Sequence, residues 1–149
     1  MPAEVVFEEK VRSLQDLQVV AERMAARFKL GDWIWMDGEL GAGKTTLVRL
    51  ILKTYGYEGD VRSPTYALLN EYDYPDWDTK FIHLDGYRLI ESTSPERPWD
   101  ATEWDRYMLF AEWPEATGLP KSRFQYRIQI EVSDEGDFRS IRLISQPFS

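Results

Sequence analysis

The chain has no cysteine and a single histidine, His83, among its 149 residues. Without thiols there is no disulfide, no thiolate-held metal and no cysteine nucleophile. A histidine with no second one beside it makes a poor start for a transition-metal site. Any metal is therefore expected to be a hard cation held by oxygen. No stretch approaches the roughly 18 consecutive apolar residues of a membrane span. Met1-Pro2-Ala3-Glu4 is not a basic region running into an apolar one. A cytoplasmic protein with no membrane partner is expected. Positive charge is also scarce: 18 Lys and Arg face 26 Asp and Glu, a formal net charge of −8. Such a field opposes autonomous binding to phosphate backbones or anionic lipid. If the chain serves a nucleic acid, a basic partner is expected to hold that substrate. Aromatic rings are plentiful, with six Trp, eight Tyr and seven Phe, and some of them are expected at an interface. The length fits one domain spanning residues 1–149.

Against this background one motif stands out. Gly38-Glu39-Leu40-Gly41-Ala42-Gly43-Lys44-Thr45 is G-x-x-x-x-G-K-T, directly after the apolar run Trp33-Ile34-Trp35-Met36 and before a helical stretch. Glycines at those positions let backbone N–H groups turn inward onto phosphate oxygens, and the helix opening at Lys44 aims its positive end at the same anion. Residues Glu39, Leu40, Gly41, Ala42, Gly43, Lys44, Thr45 and Thr46 are thus expected to cradle a nucleoside triphosphate. Lys44 reaches for the β- and γ-phosphates and Thr45 for Mg²⁺.

Elsewhere the pattern is readable in pieces. Val5-Val6-Phe7 reads as a short strand. Ser13 with Asp16 three residues on resembles an N-cap pair, opening a helix whose Leu14, Leu17, Val20, Ala21, Met24 and Phe28 share one core-facing side. The helix after the glycine-rich loop runs through Leu47, Val48, Leu50, Ile51 and Leu52 towards a stop at Gly56. Ser63 to Asn70 reads as a turn into a strand, and Glu71 to Asp78, broken by Pro75, as the exposed tip of a hairpin. Phe81-Ile82-His83-Leu84 and Met108-Leu109-Phe110-Ala111 are short buried strands. Residues 91–106 have no clean period and read as loops and short helices. Tyr126, Ile128, Ile130 and Val132 alternate with polar residues, and with Phe138 to Ile144 they form a second hairpin.

Three of the apolar strands end in groups that serve phosphate or magnesium chemistry: the glycine-rich loop after Met36, Asp85 after Leu84, and Glu112 after Ala111. In open α/β sheets ligands sit beyond the carboxyl ends of the strands, so neighbouring parallel strands would bring all three into one crevice. Asp85 then takes the Walker B role, and Thr45, Asp85 and Glu112 are the oxygen donors to Mg²⁺, directly or through water. His83 reads as a packed strand residue. The fold class expected is α/β, a single-domain P-loop NTPase fold with a mostly parallel central sheet flanked by helices and antiparallel hairpin additions.

Residues 38–47, Ser63-Pro64-Thr65-Tyr66, His83-Leu84-Asp85-Gly86-Tyr87-Arg88-Leu89 and Glu112-Trp113-Pro114-Glu115, in this order and spacing, closely resemble the TsaE family of tRNA threonylcarbamoyladenosine biosynthesis ATPases. The resemblance covers essentially the whole chain. It implies a small P-loop protein that hydrolyses ATP to ADP in support of the TsaB–TsaD pair. That pair transfers threonylcarbamoyl, made by TsaC, to the adenosine beside the tRNA anticodon, so tRNA is met only indirectly through the complex. By the same resemblance Ser63–Tyr66 is a switch segment with Thr65 near the γ-phosphate, and Glu112 is a second acid acting on Mg²⁺ or its waters. Trp113 lies beside the nucleotide, and Arg139 matches the Arg of a Gly-Arg pair in the last hairpin. The implied catalytic set is Lys44, Thr65, Asp85 and Glu112. Two positions depart from the family pattern: Leu17 stands where a Thr is frequent, and Phe138 where the Gly precedes Arg139. Residues 90–107 also lack the family's usual helical pattern and contain Pro95 and Pro98.

The expected reaction is in-line attack of water on the γ-phosphate, slow in isolation and faster with partners. Two rivals follow from the same residues. A small-molecule kinase would need a basic lid, for which only Arg97 and Arg106 are available. A nucleotide-gated binding module would use ATP to order the Ser63–Tyr66 segment without essential turnover.

Overall fold

The computed structural model describes residues 3–39, 41–59, 61, 69–73, 80–86, 101–112 and 118–145. In chain order these give β1 (Glu4–Val11), α1 (Leu14–Arg27), β2 (Trp33–Gly38), α2 (Lys44–Thr54), β3 (Leu69–Asp73), β4 (Lys80–Asp85), β5 (Met108–Glu112), β6 (Tyr126–Val132) and β7 (Arg139–Ser145). All seven strands form one sheet, in the order β1-β7-β6-β2-β5-β4-β3.

The middle of the sheet, β6-β2-β5-β4, is parallel. Its edges are antiparallel: β7 returns from β6, β1 lies against β7, and β3 lies against β4. Parallel and antiparallel pairs are therefore equal in number, and the sheet is mixed rather than mostly parallel. The reason is connectivity. Short returns such as Ser133 to Phe138 can only join antiparallel neighbours, whereas parallel strands need long crossovers. The four buried residues Trp33 to Met36 of β2 are what a strand covered on both faces requires.

Side-chain alternation divides the sheet into two apolar layers. Ile34, Met36, Met108, Phe110, Ile128 and Ile130 face α1 and α2, meeting Leu17, Val20, Met24, Leu47, Val48 and Ile51. Trp33, Trp35, Ile82, Leu84, Leu109 and Ala111 face the other way and are covered by Trp104 and Phe124. Among the described residues both α-helices thus lie on one face. Trp104 belongs to the 3-10 helix Ala101–Arg106, and Trp33 Nε1 donates to its carbonyl at 3.2 Å.

α1 begins where the cap pair was expected. Asp16 N–H donates to Ser13 Oγ at 3.1 Å, and Asp16 in turn accepts from Arg12 N–H at 3.0 Å. Leu14 corrects the predicted apolar stripe: at the first turn it is 59% exposed and overhangs a cleft rather than entering the core. α2 stops at Thr54, and the N–H groups of Gly56 and Tyr57 turn back onto the carbonyls of Lys53 and Leu52. β1 runs well beyond the expected Val5–Phe7, because pairing with β7 carries it through Glu8, Glu9 and Lys10. Those residues stay exposed on an edge strand and leave no apolar signature.

Candidate functional site

The loop between β2 and α2 is shaped by its glycines. Gly41 (φ +81) and Gly43 (φ +107) adopt left-handed conformations that side chains disfavour. Ala42 N–H closes a turn onto Glu39 O at 3.0 Å, and Leu47 N–H makes an early α2 bond to Gly43 O at 2.9 Å. The N-terminal N–H groups of α2 are thereby left at the mouth of the loop, where a helix end favours an anion. Arg139 on β7 supports the loop from the side, donating from Nε to Ala42 O at 2.7 Å.

Register then assembles the acids. Glu112 at the end of β5 is the Cα partner of Met36 on β2 and of Asp85 on β4. Paired residues of neighbouring parallel strands share a face, so Asp85 and Glu112 lie on the α2 side, next to the loop. Both are buried, at 5% and 7% exposure. Lys44, the first residue of α2, is buried with them. Its Nζ donates to Gly38 O at 2.6 Å and lies 3.2 Å from Glu112 Oε1. Thr45 and Thr46 are half-buried on the same turn, and Glu39 is exposed at the loop's start.

The other oxygen of Glu112 has its own partner. His83 Nε2 lies 2.6 Å from Glu112 Oε2, and the imidazole is fully buried. Burial is the largest single influence on the Glu112 carboxyl and pushes its pKa up. The hydrogen bond and charge of His83, together with Lys44, outweigh it and hold the group below the ordinary glutamate value. His83 is thus more than the packed strand residue expected from the sequence. The only local signal for its role was spacing: His83 and Asp85 are two apart on a strand and share a face.

Beside the loop opens a cleft of about 350 Å³ lined by Val11, Arg12, Ser13, Leu14, Leu17, Gly41, Ala42, Gly43, Thr46, Ile130, Arg139 and Ile141. It joins the end of β1, the start of α1, the glycine-rich loop and the β6–β7 hairpin. Of these residues Val11, Arg12, Ser13, Ile130 and Ile141 carried no functional signal in the sequence: the register of β6 on β2 sets Ile130 opposite Gly38, Ile141 is its partner on β7, and the pairing of β1 with β7 brings up Val11 and the two residues after it. Leu17, one of the two departures from the family pattern, lies in the cleft wall. Phe138, the other, meets two cations instead, with Lys10 Nζ and Arg12 Cζ each 5.0 Å from its ring centre.

The remaining expected site residues Leu40, Thr65 and Trp113 lie outside the described residues, as do Tyr87, Arg88 and the rest of Ser63–Tyr66. Among the described residues no group of three or more His, Asp or Glu side chains stands ready to hold a metal. No helix there is long and apolar enough to cross a membrane.

Residues 11–141 match the family described as threonylcarbamoyl adenosine biosynthesis protein TsaE. The chain belongs to the TsaE family. Its relatives include the tRNA threonylcarbamoyladenosine biosynthesis protein TsaE of Aquifex aeolicus, 32% identical over 94% of this chain and 97% of that one. The TsaE of Haemophilus influenzae is 34% identical over 76% of this chain and 70% of its own length. That of Synechocystis is 36% identical over 63% of this chain, a match spanning 61% of the relative. The crystal structure of Bacillus subtilis YdiB superposes with a TM-score of 0.70, covering 95% of this chain and 87% of YdiB at 23% identity. That likeness speaks for the α/β fold alone.

Proposed function

We propose that this chain is a magnesium-dependent ATPase that acts in threonylcarbamoyladenosine modification of tRNA, working with the TsaB–TsaD pair. The observation that carries the reading is the meeting of Lys44, on the glycine-rich loop, with Glu112 and Asp85 at the ends of two adjacent parallel strands. Family membership supplies the pathway, because the relatives are named for tRNA threonylcarbamoyladenosine biosynthesis.

In this reading the loop amides and the α2 N-terminus hold the phosphates, and Lys44 turns from Glu112 to the β- and γ-phosphate oxygens. The nucleoside end lies in the adjoining cleft, between the loop and Arg12, Leu17 and Arg139. The donor set of Thr45, Asp85 and Glu112 is all oxygen, which suits Mg²⁺. Bound there, the ion would neutralise charge on the phosphates. Both Glu112 oxygens are already engaged by His83 and Lys44, so in this reading Glu112 acts on the ion through water. Water attacks the γ-phosphorus in line as the bond to the β-phosphate oxygen breaks, yielding ADP and phosphate, and no covalent intermediate on the chain is needed. Thr65 of the Ser63–Tyr66 segment and Trp113 complete the proposed site, and tRNA is met through the partners.

The test is ATP turnover by the purified chain with and without TsaB–TsaD, with Lys44→Ala and Glu112→Gln as controls. Stimulation by the pair that is lost in both variants supports the reading. Turnover that the partners do not change removes the pathway role, and phosphate transfer to an alcohol would be assayed next.

A further inference from the structure

We propose that His83 is a positioning residue for Glu112, its Nε2–H fixing one carboxylate oxygen so that the other faces Lys44. The kinetic consequence rests on the ATPase reading above; the hydrogen bond itself does not.

The argument starts from what a buried imidazole costs. His83 is fully buried, and its Nδ1 finds no hydrogen-bond partner among the described residues. A leucine or phenylalanine would pack there without leaving a ring nitrogen unsatisfied. The contact that offsets this is the one at Nε2, 2.6 Å from Glu112 Oε2. Since a carboxylate accepts and does not donate, the proton of this bond sits on Nε2.

Geometry gives the contact its purpose. The terminal torsion of a glutamate side chain is broad, so a single anchor leaves the plane of the carboxylate free to swing. Lys44 holds Oε1 at 3.2 Å and His83 holds Oε2. The two anchors come from different elements, α2 and β4. His83 is the Cα partner of Phe110, two residues before Glu112, so it reaches the carboxylate diagonally from within the sheet. Lys44 has a competing task once phosphate oxygens arrive at the loop. The histidine is then the anchor that remains, and it keeps Glu112 aimed while Lys44 is engaged elsewhere.

Because the chain has one histidine, its ring nitrogens give unambiguous signals in ¹⁵N-edited NMR of the whole nucleotide-free protein. The expected result is a slowly exchanging proton on Nε2 whose resonance moves in Glu112→Ala. In ATP turnover, His83→Leu is expected to lower kcat by roughly 10–100-fold with KM within about twofold, as for other outer partners of site ligands. His83→Gln, whose amide N–H₂ stands near the place of Nε2, restores much of that loss. A proton on Nδ1 with Nε2 bare, or an Nε2–H resonance indifferent to Glu112→Ala, overturns the proposal. So does a folded His83→Leu protein with unchanged kcat. If the unaltered chain turns over no ATP, the ATPase reading falls, and the NMR result alone decides whether His83 fixes Glu112.

Discussion

The pair Lys44–Glu112 allows a quantitative test on the nucleotide-free protein. The two charges are 3.2 Å apart, with side chains only 7% and 9% exposed. At an effective dielectric of ~20, unit charges at that distance attract by about 5 kcal/mol. Desolvation of both ions consumes most of this, but removing a single partner leaves the other charge buried and costs about 3–5 kcal/mol. Lys44→Met strands Glu112 against His83. Glu112→Gln strands Lys44, whose bond to Gly38 O at 2.6 Å softens the loss. The double variant strands neither, so its destabilisation should fall short of the sum of the two single effects by about 1.5–3 kcal/mol. The assay is urea unfolding of all four proteins at neutral pH without nucleotide, accepting the cycle only where the dependence on urea is unchanged. Additivity within about 0.5 kcal/mol would refute the reasoning, because residues in contact through a buried ion pair cannot act independently.

Further predictions concern the loop and its surroundings. Gly43→Ala forces a side chain into φ +107 and should cost about 1–2 kcal/mol. It should also abolish binding of a fluorescent ATP analogue. Gly56→Ala, at φ +97 in open space beyond the C-terminal end of α2 and away from the loop, should cost a similar amount and leave that binding intact. Arg139→Ala removes the 2.7 Å bond to Ala42 O, and its nucleotide Kd should rise about tenfold, roughly one lost hydrogen bond to a charged group. Arg139→Lys should not restore it, since the bond is made by a guanidinium Nε. Isothermal titration separates the two outcomes. The Glu112 carboxyl titrates below its ordinary value of 4.5 in the folded protein. Its contribution to stability is therefore complete above that value and lost as pH falls through the depressed one. The gap in urea midpoint between the unaltered chain and Glu112→Gln should narrow as pH drops below 4.5, and a gap that widens would contradict the assignment.

The sequence alone determined what local chemistry can determine. Four glycine-and-lysine positions between an apolar run and a helix define the loop, because the motif encodes its own backbone conformation. Ser13 and Asp16 define the start of α1, since capping is a matter of residues three apart. Strand ends at Asp85 and Glu112 were legible because short apolar runs stop at them. Tertiary structure decided how these pieces meet. That Asp85 pairs with Glu112 and Glu112 with Met36 is a statement of register between strands far apart in the chain. Single-strand patterns do not contain it. The partnership of His83 with Glu112 spans 29 residues, and the cleft depends on β1 closing against β7, with Val11 opposite Arg139. Leu14 carried the right spacing for the core and ended at the mouth of the cleft. Periodicity specifies which residues share a face of a helix, and only packing specifies where along the helix that face runs out of neighbours.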